Sequence, residues 1–399
     1  MGTGAQLLRG SLVSRGSVID DGLVAVDGDR IAFAGPTADW TGPPPPPPCG
    51  VLLPGLVDVH CHGGAGYGFP DADADGVAAA RHHHLRHGTT SMLASLVSAP
   101  AAALRERVEL LAPLVESGEV AGIHLEGPFL SAARCGAQDP AAIVPGDPGL
   151  LRQLIDIGAG AVRSVTLAPE TANVAGLLDV LARHDVLPGF GHTDADAATT
   201  TAAVAAAVAG GRPPSATHLF NGMPPMHHRS PGPVAACLAA AARGDMVLEL
   251  IGDGVHLAHE TVAMVFDLVG PERIALVTDA GAAAGRADGR YLLGSVVTEV
   301  VAGVARVAGR GGDGPSPIAA GTARLIDVVR RTVRQAGVPL AAAVTAASAT
   351  PARLLGLTDV GDLVAGLSAD LVVIDDELAP LAVMRAGRWV RRGPGREET

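Results

Sequence analysis

Short apolar segments alternate with amphipathic, alanine-rich segments along most of the chain after Val51. Eight of the apolar segments are LVDVH, TTSMLAS, VAGIHLEG, VRSVTLAP, VLPGFGH, SATHLF, MVLELIGDG and IALVTDA. Each is almost continuously apolar, which is typical of strands buried on both faces of a parallel sheet. Helical segments of about 10 to 15 residues between them predict βα units. Eight such units predict an α/β fold, a (β/α)8 TIM-like barrel spanning residues 54–357.

The two ends of the chain have a different pattern, with shorter apolar runs separated by Gly and Asp turns. Residues 23–26 and 31–34 flank a DGD turn, and this spacing predicts an antiparallel hairpin. A similar pattern returns after Asp362, in GLSADLVVIDDELAPLAVMRAGRWV. We therefore predict that residues 1–53 and 358–399 form one small discontinuous β-sandwich domain. The proline run at 43–48 predicts a stiff spacer between the two structural units.

Composition and charge exclude several classes of function. The formal net charge of −12 argues against nucleic acid or an anionic membrane as a partner, because both require a basic surface. All 29 basic residues are arginine, which excludes Schiff-base and carbamylated-lysine chemistry. The four cysteines have no repeated spacing, and the chain has neither a signal-like leader nor an apolar run of about 20 residues. We expect a soluble cytoplasmic protein with reduced thiols.

Polar side chains recur where the predicted strands end, at the edge of the barrel where active sites of this fold lie. These residues are His60, His62, Glu126, His192, His218, His256 and Asp279. Two histidines separated by one residue on an extended strand point to the same side and can bind one ion. Such a pair by itself is as often two surface or core histidines, but imidazoles and carboxylates at successive strand ends predict a metal site.

The same segments resemble those of a known family. PGLVDVHCHGG, HLEGPFL, GHTDA, THLFNGM, DGVH and VTDA follow one another in an order and spacing similar to those of the N-acetylglucosamine-6-phosphate deacetylases of the amidohydrolase superfamily. The resemblance extends from Pro54 to the ADLVVID segment, and HLEGPFL and THLFNGMPPMHHRSPGP are its most specific parts. It implies metal-dependent hydrolysis of the acetamide of N-acetyl-D-glucosamine 6-phosphate, which yields glucosamine 6-phosphate and acetate.

The resemblance implies one or two divalent ions per subunit. The ligands of the principal ion would be Glu126, His192 and His218. His60 and His62 could hold a second ion, with Glu126 and Asp279 nearby. Zinc is the first expectation, although iron, manganese and cobalt also suit imidazole and carboxylate ligands. Asp279 would deprotonate the attacking water and then protonate the departing amine.

The resemblance also assigns residues to the substrate. Asn221, Gly222, Arg229 and His256 would bind the sugar phosphate, and the arginine would come from the other subunit of a homodimer. One departure concerns the segment ARCGAQD, which has Gln138 where the family has a histidine that polarises the acetyl carbonyl. A glutamine amide is still a neutral hydrogen-bond donor, so we expect Gln138 to contact the substrate.

Two other classes of function stay open. Another amidohydrolase, such as a cyclic-amide hydrolase or a deaminase, would share the metal ligands and Asp279 but would not need the phosphate-binding residues. A catalytically silent scaffold is disfavoured because no ligand position is missing. The glycine-rich segment RGGDGP, which starts at Arg310, lacks the lysine of a phosphate-binding loop and is predicted to be a hairpin or loop.

Overall fold

The computed structural model describes residues 5–310 and 315–392, and its centre is a parallel sheet of eight strands ordered as they follow in the chain. Barrel strands one to eight are Leu56–Asp58, Thr89–Leu96, Gly122–Glu126, Val162–Leu167, Leu187–Phe190, Ser215–Ala216, Val247–Leu250 and Ile274–Leu276. A parallel bridge between Cys61 and Ala280 joins the ends of strands one and eight. The sheet therefore closes, and the predicted barrel is confirmed, because each strand overlaps one of the eight apolar segments.

A helix follows each barrel strand. The α-helices of the described residues are Ala74–Leu85, Ala101–Glu116, Pro148–Ile157, Val174–Arg183, Ala197–Ala209, Gly232–Arg243, His259–Val269, Leu325–Arg334, Leu340–Ala347 and Ala349–Leu354. Aspartate side chains at 73, 147 and 196 accept hydrogen bonds from the first turns of three of them, which fixes where these helices begin. Within the described ranges, none of these helices combines the length and apolarity that a membrane crossing requires.

Strands from both ends of the chain form one seven-stranded sheet. Its order is Arg388–Arg391, Pro380–Arg385, Leu371–Ile374, Val51–Pro54, Gln6–Ser14, Ser17–Asp27 and Arg30–Pro36. The pairing of Leu371–Ile374 with Val51–Pro54 joins the two ends, as predicted. The proline run was wrongly predicted to separate two structural units, because the strand after it pairs with Gln6–Ser14 in this same sheet.

A four-stranded antiparallel sheet that was not predicted from the sequence follows barrel strand eight. Its strands are Gly289–Leu293, Val296–Val301, Val304–Val307 and Ile318–Ala320. We call it the inserted sheet. Its buried residues Leu293, Val307 and Ala319 pack against Val97 and Ala137 beside the barrel mouth. Residues 311–314, and with them most of the segment predicted to be a hairpin or loop, lie outside the described residues.

Candidate metal centre

Glu126 occupies the centre of a buried cluster at the carboxyl edge of the barrel. Its Oε1 atom lies 3.0 Å from Nε2 of His192 and 2.8 Å from Nε2 of His218. Glu126 ends barrel strand three, and the two histidines follow strands five and six by two residues each. Glu126, His192 and His218, the three predicted ligands of the principal ion, therefore lie in contact although they are far apart in the chain.

The second predicted set lies on the other side of the same carboxylate. The Nε2 atoms of His60 and His62 are 3.1 Å apart, and they lie 3.5 Å and 3.3 Å from Oδ1 of Asp279. Oε2 of Glu126 is 3.3 Å from Nε2 of His62. Oε1 of Glu126 thus faces His192 and His218, with Nε2 of His60 3.7 Å away, whereas Oε2 faces His62.

Among the described residues, two groups of side chains have ligand atoms within 4.8 Å of one another and could hold a metal ion. One group contains His60, His62 and Asp279, and the other contains His60, Glu126 and His218. His192 lies beside the second group, because its Nε2 atom is 3.0 Å from Oε1 of Glu126. All these groups offer nitrogen and carboxylate ligands, which suit zinc and other transition metals.

The local backbone is strained where it presents three of these side chains. His192, His218 and Asp279 have φ angles of 46°, 30° and 48°, in the left-handed region that residues with a side chain rarely adopt. Each follows a barrel strand by two or three residues. Such strain is maintained only where the surrounding structure enforces it, and it is concentrated at functional sites.

Buried carboxylates govern the charge of the cluster. Burial disfavours the charged form of His62, but hydrogen bonds to Asp279 and Glu126 outweigh it and raise its pKa to about 10. For His218 burial acts in the same way, and Glu126 raises its pKa to about 9. Burial would raise the pKa values of Glu126 and Asp279, but the neighbouring histidines lower both. The carboxylates therefore favour positive charge at their centre, and a divalent cation meets that demand.

Three histidines of the cluster have a hydrogen-bonding partner at Nδ1, the ring nitrogen that faces away from Glu126. Nδ1 of His62 lies 3.1 Å from the carbonyl oxygen of Ser95, and Nδ1 of His192 lies 2.8 Å from that of Arg134. Nδ1 of His60 instead lies 3.0 Å from a carboxylate oxygen of Glu249. These contacts leave the Nε2 atoms directed at the cluster.

Gln138 is held inside the cluster by two hydrogen bonds. Its amide nitrogen donates to Oε2 of Glu126 at 2.6 Å, and its amide oxygen accepts from the backbone N–H of Ser98 at 2.7 Å. From the sequence, this amide is expected to contact the substrate. In the structure it orients the central carboxylate.

The cluster forms the floor of a cavity of about 240 Å³. The predicted site residues that line it are His62, Glu126, Gln138, His192, His218, Asn221, Gly222, His256 and Asp279. The inserted sheet supplies an apolar wall, which contains Leu293 and Ala319 beside Ala137. His60 lies below the floor and is fully buried. Arg229 is exposed in the turn after His227 and is not part of the cavity wall of its own chain.

A (β/α)8 barrel with imidazoles and carboxylates gathered at its carboxyl edge is the architecture of metal-assisted barrel hydrolases. Residues 51–391 match the model of the amidohydrolase family, and the chain belongs to that family. It is 33% identical to N-acetylglucosamine-6-phosphate deacetylase from Lysinibacillus sphaericus over 342 residues, which are 84% of each protein. It is 34% identical to N-acetylgalactosamine-6-phosphate deacetylase from Escherichia coli O157:H7, over 82% of this chain and 84% of that protein.

Solved structures give the same result. N-acetyl-D-glucosamine-6-phosphate deacetylase from Mycobacterium smegmatis, solved as a variant in complex with N-acetyl-D-glucosamine-6-phosphate, is 40% identical and superimposes with a TM-score of 0.90. The match covers 97% of this chain and 100% of that one. The resemblance to these deacetylases that the sequence motifs indicated is confirmed.

Proposed function

We propose that this protein hydrolyses the acetamide of N-acetyl-D-glucosamine 6-phosphate to glucosamine 6-phosphate and acetate. The observation that carries the proposal is the arrangement of Glu126, with imidazoles against both of its oxygens, on the floor of a cavity that Asn221, Gly222 and His256 also line. The names of the relatives reported above support the same substrate class.

Glu126, His192 and His218 would hold the principal divalent ion, for which zinc is our first candidate. His60 and His62 would hold a second ion together with Asp279. An ion bound there would lower the pKa of water to about 7 and polarise a carbonyl group. The buried carboxylates and the Nε2 atoms directed at them support these assignments.

Asp279 is our candidate for the proton transfers. Its Oδ1 faces His60 and His62, whereas Oδ2 lies 4.0 Å from Nε2 of His256 on the cavity side. The carboxylate would accept a proton from the attacking water and deliver it to the amine nitrogen, which leaves poorly unless it is protonated. His256 is itself oriented by Asp253, whose Oδ2 is 2.8 Å from Nδ1.

We propose that Asn221, Gly222, His256 and Arg229 bind the phosphate of the substrate. Among the residues that the structure describes, no arginine lines the cavity of a single chain, and a planar guanidinium suits phosphate better than any other side chain. Arg229 is exposed, as an arginine that serves the cavity of a second copy would have to be. We propose that the protein is a cytoplasmic homodimer in which each subunit contributes Arg229 to the cavity of the other. Each subunit would have two domains, one formed by residues 1–53 and 358–399 and the other by residues 54–357.

The apolar wall would receive the acetyl methyl group. Ala137 belongs to this wall and directly precedes Gln138, whose amide contacts Glu126. An acetamide with its carbonyl at the metal site would therefore direct its methyl group toward Ala137 and Leu293. The sugar and phosphate would extend toward the polar residues Asn221 and His256.

The experiment is a comparison of three substrates with purified, zinc-loaded protein: N-acetylglucosamine 6-phosphate, its galactosamine epimer and unphosphorylated N-acetylglucosamine. We expect release of acetate and a free amine from the first, loss of activity on chelation, and recovery on addition of zinc. Asp279→Asn should retain the principal ion while turnover falls by about 100- to 10,000-fold. Faster hydrolysis of the epimer would reassign the sugar, and equal rates without phosphate would indicate another amidohydrolase. No release from any substrate by the loaded protein would indicate a silent scaffold.

A further inference from the structure

Glu249 is a buried carboxylate in the middle of the barrel that none of the assignments above uses. It belongs to barrel strand seven, between Leu248 and Leu250, and is only 3% exposed. Isolated buried carboxylates are strongly disfavoured, so a charge at this depth requires partners. Among the described residues, its one ion-pair partner is His60.

The partners of Glu249 are two histidines of the cluster and a serine of barrel strand six. Oε2 lies 3.0 Å from Nδ1 of His60 and accepts a 3.3 Å hydrogen bond from the backbone N–H of His218. Oε1 accepts from the hydroxyl of Ser215 at 3.0 Å. One carboxylate thus links a histidine of each proposed metal site and lies below both.

The contact determines which nitrogen of His60 faces the cluster. An imidazole that donates Nδ1–H to a carboxylate keeps the lone pair of Nε2 free, and the negative charge makes that nitrogen a stronger ligand. Nε2 of His60 is the atom that lies 3.1 Å from His62 and 3.5 Å from Asp279. Among the described residues, the Nδ1 atoms of His62 and His192 instead face neutral backbone carbonyls, so a charged partner at Nδ1 distinguishes His60.

We infer that Glu249 is a positioning residue for the second metal site: it holds the Nδ1 proton of His60 and thereby sets the affinity of the site formed by His60, His62 and Asp279. This inference rests on the proposed function, in that it requires the cluster to bind divalent ions. Glu249 would act through His60 and would not contact the substrate.

The test is titration of the metal-free full-length protein with Co²⁺, followed by calorimetry, metal analysis and the visible absorption of the bound ion. The variants are Glu249→Leu, which removes the hydrogen bond and the charge, and Glu249→Gln, which keeps an acceptor oxygen without the charge. Ser215→Ala is the matched control, because it removes a hydrogen bond from the same carboxylate and leaves His60 untouched.

We expect the wild-type protein to bind two ions in two classes of affinity. Glu249→Leu should weaken one class by about 10- to 100-fold, the usual effect of losing a partner behind a metal ligand, and should change the absorption spectrum of that ion alone. Glu249→Gln should fall between the wild type and Glu249→Leu, and Ser215→Ala should stay close to the wild type. Every variant should bind the ion of the other class with the affinity of the wild type.

Two outcomes in the Glu249→Leu variant would overturn the inference. One is a Glu249→Leu protein that binds both ions as the wild type does. The other is an equal loss in both classes together with a lowered melting temperature, which would make Glu249 a purely structural residue. A wild-type chain that binds no divalent ion would overturn the proposed function as well. Wild-type deacetylase activity with unaltered metal binding in Glu249→Leu would overturn this inference alone.

Discussion

The side-chain amide of Gln138 donates a 2.6 Å hydrogen bond to Oε2 of Glu126. The segment that carries Gln138 is also held from outside the barrel. The Arg310 guanidinium donates to the Gln138 carbonyl oxygen at 3.1 Å, and the Ser295 hydroxyl donates to Asp139 at 3.1 Å. Residues that flank the strands of the inserted sheet therefore hold the segment whose amide contacts the central carboxylate.

This contact gives a prediction for Gln138→Met, which keeps the length of the side chain but removes the amide. If the amide chiefly orients Glu126, metal affinity should fall by about 10-fold or more, and added zinc should restore much of kcat. If the amide chiefly polarises the substrate carbonyl, kcat should fall by about 100-fold or more at saturating zinc. Calorimetry and steady-state kinetics on the same preparation distinguish the two, and the structure predicts the first.

A mixing experiment tests whether Arg229 serves the neighbouring subunit. Asp279→Asn and Arg229→Ala should each be nearly inactive at low substrate concentration, for different reasons. If the two are co-refolded in equal amounts, half of the dimers contain one complete site, so about a quarter of wild-type activity should return. Activity that stays at the level of the separate variants would show that Arg229 acts within its own chain or not at all.

The apolar wall predicts the acyl preference. Leu293 is 4% exposed and lines the cavity, so Leu293→Ala should admit a longer acyl chain. The ratio of kcat/KM for N-propionyl over N-acetyl substrate should rise by about 10-fold, the usual effect of one methylene. Val307→Ala is the control, because Val307 packs in the same cluster but does not line the cavity. An unchanged ratio in Leu293→Ala would place the methyl group elsewhere.

The raised pKa values of His62 and His218 predict how pH affects the metal-free protein. Their protonated forms stabilise the fold fully below about pH 6.5, and this contribution is lost as pH rises through about 9 and 10. The lowered pKa values of Glu126 and Asp279 contribute stability that is present above about pH 4 and lost in more acidic solution. The melting temperature of chelated protein should therefore fall between pH 7 and 10.

Saturating zinc should reverse this trend, because the bound imidazoles are neutral and binding releases protons. The difference in melting temperature between zinc-loaded and chelated protein should increase from pH 6.5 to pH 9. If the melting temperature of the chelated protein instead rises from pH 6.5 to pH 9, this would contradict the raised pKa values of His62 and His218.

The barrel was predictable because its signals are local. A strand buried on both faces is a continuous apolar run, and the alternation of such runs with helical segments is visible in the chain. Polar residues at the ends of those runs, among them His60, Glu126 and Asp279, could be placed at the barrel mouth, because the carboxyl ends of the strands meet there. The joining of the two chain ends was predictable from their shared turn pattern.

The inserted sheet and Glu249 were missed for two different reasons. Val296–Val301 alternates exposed and buried residues, a strand signal that the repeating βα pattern around it concealed. Glu249 was visible as the one carboxylate in the apolar run MVLELI. Its partner His60 is 189 positions away, and no local pattern connects them.

The sequence by itself determined the order of the strands and the residues at their carboxyl ends, because both depend on spacing along the chain. Only the tertiary structure decided which nitrogen of each imidazole faces which carboxylate, that Gln138 is held by Glu126, and that an apolar wall closes one side of the cavity. Those relationships are distances between segments far apart in the chain, and packing of the whole barrel sets them.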